Sequence, residues 1–72
     1  MAMNEKTVEI LNDLVQINHD RVRGYEKAAE ETNSDDADLR ALFTDFANES
    51  RGYAAELSEL VKNLGGEPAT DS

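Results

Sequence analysis

The chain has 72 residues, 39% of them hydrophobic, and carries 16 acidic against 7 basic side chains for a formal net charge of −9; this allows one small domain and not two. The acidity argues against binding to nucleic acid phosphates or to anionic membrane surfaces, which demand basic faces, and is read as solubility and self-repulsion. The absence of cysteine excludes disulfides and a thiolate metal site.

No apolar run approaches the ~20 residues of a membrane-spanning helix. The N-terminus shows no charged segment ahead of an apolar block, so the expected location is the cytoplasm. A domain of this size without disulfides usually needs a metal or oligomerisation to supplement its core.

The first helix is expected over residues 5–32, with Met1 to Met3 frayed, Asn4 as cap and Glu5 facing the positive end of the helix dipole. Val8, Leu11, Val15, Asn18, Val22, Tyr25, Ala29 and Thr32 recur at alternating steps of three and four, the spacing of a heptad seam. Ile10, Leu14 and Ile17 form a second apolar line beside the first. The apolar arc is therefore wider than one antiparallel neighbour can cover, and the first helix should touch at least two others.

Residues 33–36, Asn-Ser-Asp-Asp, break the pattern: Asn33 tolerates the left-handed conformation that ends a helix, and Ser or Asp caps the next. Asp35, Asp36 and Asp38 lack the glycine and distal glutamate of a calcium loop and are read as complementing the helix dipole. The second helix is expected over residues 37–64. Its stripe is Leu39, Phe43, Phe46, Ser50, Tyr53, Leu57, Leu60 and Leu64. Lys62 lies in the last turn, Gly65 is placed for the left-handed cap, and Pro68 blocks continuation, leaving a disordered tail over 67–72.

A short loop between two long helices gives an antiparallel hairpin, a single domain spanning residues 1–72. With the turn centred between Ser34 and Asp35, Asn18 is expected opposite Arg51. Asn18, Ser50 and Tyr53 then meet at midspan, where amide, hydroxyl and phenol can satisfy one another, with Glu49 and Arg21 closing the network from the edges. Arg-Gly-Tyr occurs at Arg23–Tyr25 and again at Arg51–Tyr53. Gly24 and Gly52, which weaken a helix interior, are read as points where a neighbouring helix or a tyrosine ring approaches closely.

The midspan is also where a four-helix bundle would keep a di-iron centre. The segment Asn48-Glu49-Ser50-Arg51-Gly52-Tyr53-Ala54-Ala55-Glu56-Leu57 resembles the metal-binding helix of ferritins and rubrerythrins, and Asn18 followed by Tyr25 resembles their first helix. By that resemblance the two glutamate ligands fall on Asn18 and Ser50 and the histidine on Tyr53. None of the three is retained, and amide, hydroxyl and phenol are poor ligands for iron or manganese. The site is read as degenerate, with no metal and no cofactor. Glu49 survives beside it, but one residue off and so turned about 100° away.

More closely, Thr7 to Leu14, Ile17-Asn18 with Asp20-Arg21, Gly24 to Ala28 and the ending Leu64-Gly65-Gly66-Glu67-Pro68 resemble a bacterial ferritin-like four-helix-bundle family of uncharacterised function. Members of that family are about twice as long, so this chain resembles their N-terminal half. The resemblance implies an all-α hairpin that dimerises about a two-fold axis into a ferritin-like bundle.

No serine in a helix has histidine at helical spacing and there is no cysteine, so no catalytic residue is identified and the chain is read as non-enzymatic. Its expected role is structural or protein-interacting, with a link to stress implied by the resemblance alone. The expected partner is a second copy, with room for another protein. The alternative is an iron- or manganese-binding oxidoreductase or storage protein whose non-standard site is built from His19, Asp20 and Glu49, contributed by two chains.

Overall fold

A computed structural model describes residues 2–70. Two antiparallel helices, α1 (Ala2–Glu31) and α2 (Ala37–Asn63), form a hairpin 53 × 17 × 14 Å in extent. The expected fraying at Met1 lies outside the described residues. The helix reaches back through Ala2 and Met3, both strong helix formers, so Asn4 sits inside the first turn and does not cap it.

The loop departs from expectation at Asn33. No residue other than glycine has positive φ among the described residues, so α1 ends without a left-handed asparagine. The Thr32 hydroxyl instead donates to the Ala28 carbonyl (2.7 Å), and an Arg40 guanidinium N–H donates to the Thr32 carbonyl (3.0 Å). The Asp36 amide closes a turn onto the Asn33 carbonyl (2.9 Å). Asp36 is the N-cap of α2 through its backbone alone, its side chain making no capping bond, while Asp38 in the first turn complements the dipole.

At the other end Gly65 has φ +83°, the left-handed position its lack of Cβ permits. Its N–H donates to the Lys62 carbonyl and that of Gly66 to the Val61 carbonyl, both at 2.9 Å, the paired bonds of a Schellman cap. Gly66 then turns under α1: a Cβ there would lie 2.7 Å from Cγ1 of Val8.

The tail was expected to be disordered, yet residues 67–70 lie against α1. The Asn12 amide donates to the Glu67 carbonyl (3.0 Å) and accepts from the Ala69 N–H (2.7 Å). One side chain thus satisfies two backbone groups that would otherwise need water. The expected disorder at Asp71 and Ser72 falls outside the described residues.

Packing between the helices is close and thin. The buried apolar residues among those described are Val15, Val22, Ala47, Ala54 and Val61, of which Val15 and Val61 are the largest that are fully enclosed. On α1 the seam read from the sequence faces α2: Val15, Asn18 and Val22 are buried, and Val8, Leu11, Tyr25, Ala29 and Thr32 are half-buried. On α2 the buried line is Ala47, Ser50, Ala54 and Val61. It is rotated roughly 60° from the stripe read from the sequence, at 100° per residue. Small alanines let the backbones approach, and the bulkier stripe residues are displaced to one side.

Candidate functional site

The displaced residues define the most distinctive surface of the molecule. Ile10, Leu14 and Ile17 of α1 and Leu39, Leu42, Phe46, Tyr53, Leu60 and Leu64 of α2 each remain 37–50% exposed. Helical periodicity puts all of them on the same side of the hairpin, the side where the Tyr25 and Phe46 rings meet with centroids 5.2 Å apart. Scattered exposed leucines need no explanation, but nine large apolar side chains on one side, over Ile10–Ile17 of α1 and Leu39–Leu64 of α2, do.

The opposite side is polar. Arg51 pairs with Glu26 across the helices and donates to the Asn48 side chain (2.8 Å). Beside this pair lies an open recess of about 570 Å³ lined by residues including Glu30, Arg40 and Thr44. Arg23 pairs with Asp20 along α1.

The expected midspan network does not close within the chain. Asn18 and Ser50 are buried, at 6% and 5% exposure, but Tyr53 is 49% exposed. The Asn18 amide N–H donates to the Leu14 carbonyl of its own helix (2.9 Å), and its Oδ1 is buried without a hydrogen-bond partner. No bond joins Asn18 to Ser50 or Tyr53, and neither Arg21 nor Glu49 reaches the layer. The reason is direction, since Tyr53, 49% exposed, points to the uncovered side.

Gly24 and Gly52 also differ from expectation. A Cβ at either would meet nothing within 4 Å, so no helix or ring among the described residues approaches them.

The candidate metal residues are not brought together by one chain. His19, half-buried, lines a recess with Arg51 and Ser58 on the polar side of the hairpin, and Asp20 beside it is exposed and paired with Arg23. Glu49 is exposed on the apolar side. No cluster of three or more His, Asp or Glu side chains suited to a metal ion occurs among the described residues. No helix among them is long and apolar enough to cross a membrane.

The sequence analysis gave Asn12 no role of its own; the returning tail supplies one.

No curated protein and no solved structure matches the chain. A family match covers residues 6–72, nearly the whole chain and including the Gly-Gly-Glu-Pro ending that folds back under α1. The chain belongs to the family described as Domain of unknown function (DUF2383).

Proposed function

We propose that this hairpin is half of a ferritin-like four-helix bundle whose other half is a second copy of the same chain, and that its role is structural or protein-interacting and not enzymatic. The observation that carries this reading is the apolar face formed by Ile10, Leu14 and Ile17 of α1 with six exposed leucine and aromatic side chains of α2. The uncovered parts of its nine side chains amount to roughly 700 Å² per chain, taking side chains of this type at about 150–250 Å² each. Two such faces approach the ~1,200–2,000 Å² of a standard protein interface.

The α2 stripe supports the same reading. Its axis points between α1 and the uncovered side, which is the direction of the centre of a four-helix bundle. Among the described residues the hairpin alone fully encloses no side chain larger than valine. That is little burial to offset the conformational entropy of ordering two long helices.

Sedimentation equilibrium across a concentration range, with circular dichroism on the same samples, tests the proposal. The expected result is a helical dimer whose helicity falls as it dissociates. A stable helical monomer would overturn the second-copy half of the proposal. Stoichiometric iron or manganese retained after growth in supplemented medium would overturn the non-enzymatic half, in favour of a site shared between chains by His19, Asp20 and Glu49.

A further inference from the structure

We infer that the two copies pair about a two-fold axis running parallel to the helices, with both loops at the same end, so that Arg21 meets Glu49 of the partner subunit. This rests on the reading that a second copy covers the apolar face, and adds how that copy is oriented and what fixes it.

The Tyr25–Phe46 ring contact and the approach of Val8 and Val61 to Gly66 set the levels along the hairpin to within about one turn. Both helices rise about 1.5 Å per residue in opposite directions. Arg21 therefore lies within a turn of the level of Glu49, Ile17 within a turn of Tyr53, and Ile10 within a turn of Leu60.

Arg21 and Glu49 are the opposite charges at one level of the apolar face. Both are exposed, and neither has an ion-pair partner among the described residues. A two-fold axis along the helices lays α1 of one copy antiparallel on α2 of the other without changing level. Arg21 then faces Glu49 of the partner subunit, and symmetry makes the contact twice.

Shape agrees with charge. Gly24, where a Cβ would meet only open space, lies within a turn of the level of Phe46 and comes to face Phe46 of the partner subunit, a missing side chain against a large one. Ile17 faces Tyr53 of the partner subunit, and Ile10 faces Leu60 of the partner subunit. The Asn18 Oδ1, buried with no donor among the described residues, lies within a turn of the level of the partner's Tyr53, whose hydroxyl is a donor. A buried acceptor without a partner calls for such a donor.

The other two-fold arrangement, with the axis across the helices, sets α1 on α1 and α2 on α2. Near midspan it brings Arg21 toward Arg21 of the partner subunit and Glu49 toward Glu49 of the partner subunit. Like charges brought together in an interface disfavour it.

Two measurements on the full chain test the inference. In sedimentation equilibrium, Arg21→Glu and Glu49→Arg are each expected to raise the dimer Kd about tenfold, since two attractive pairs become two repulsive ones. Mixing the two variants in equal amounts should restore association, because each mixed dimer regains two opposite-charge pairs. Both positions are exposed in the hairpin, so helicity at high concentration should match the parent.

Independently, a spin label on Ser34→Cys is unique in a chain without cysteine. Loops at one end give an inter-label distance of about 20–30 Å, set by helix spacings of about 10 Å plus label length. Loops at opposite ends give a distance near the 53 Å length of the hairpin. A short distance with rescue on mixing supports the inference. A dimer with the long distance, or one with no rescue on mixing, overturns the orientation while leaving the bundle intact. A monomer at all concentrations overturns the reading on which the orientation rests.

Discussion

Leu60 and Val61 are neighbours in sequence and opposites in environment: Val61 is 0% exposed between the helices, whereas Leu60 is 49% exposed on the uncovered face. Val61→Ala deletes buried methyl groups worth about 0.8 kcal/mol per carbon and leaves a cavity, so it should cost about 2–3 kcal/mol in any oligomeric state. For Leu60→Ala the two cases separate. In a lone hairpin half of the side chain is already in water, and truncation costs about 1 kcal/mol. Buried in a four-helix bundle, the same leucine costs about 2–4 kcal/mol.

Urea unfolding followed by circular dichroism at several protein concentrations reads both quantities. We expect Leu60→Ala to lose at least as much stability as Val61→Ala, and the parent midpoint to rise with concentration, because unfolding a dimer releases two chains. A Leu60→Ala protein that unfolds within about 0.5 kcal/mol of the parent, alongside a Val61→Ala protein that loses its full amount, would refute the reasoning.

Four further outcomes are expected. Leu57→Ala removes a half-buried stripe residue and should cost about 2–4 kcal/mol and weaken dimerisation; melting like the parent at equal concentration would mean the stripe is wrongly assigned. Gly66→Ala drives a Cβ to 2.7 Å from Val8 Cγ1 and should destabilise by about 1–3 kcal/mol, with much of the loss recovered in a Val8→Ala background. Gly52→Ala adds a methyl in open space within a helix and should stabilise by about 0.5–1 kcal/mol in thermal melts. Asn12→Ala frees the tail, so hydrogen exchange at the Ala69 amide, which the Asn12 side chain holds at 2.7 Å, should lose its protection while exchange at mid-helix amides is unchanged.

The sequence by itself determined the two helices, because apolar positions recurring at three and four have only one regular backbone that gathers them on one face. It also determined where α2 stops: Gly65 is a residue for which left-handed φ carries no steric cost, and it adopts φ +83°. The α1 seam through Val15, Asn18 and Val22 was equally legible, since on that helix the seam and the buried face coincide.

Tertiary structure decided the rest. Periodicity gives the mean direction of the apolar surface, and a helix touching more than one neighbour has a mean that points between them. The stripe through Phe46, Ser50 and Tyr53 is such an average. Only packing against α1 resolved it into a buried line of alanines, serine and valine and an exposed line of leucines and aromatics.

The midspan layer was misread for a related reason. Counting from the loop places Asn18, Ser50 and Tyr53 near one level, but Tyr53 lies on the exposed line of α2 while Ser50 lies on the buried one, and a shared level does not bring their polar atoms within hydrogen-bond reach. Asn12 lay beyond any local pattern. Its partners, Glu67 and Ala69, are distant in sequence and come to it only when the Gly65-Gly66 turn folds the tail back along α1.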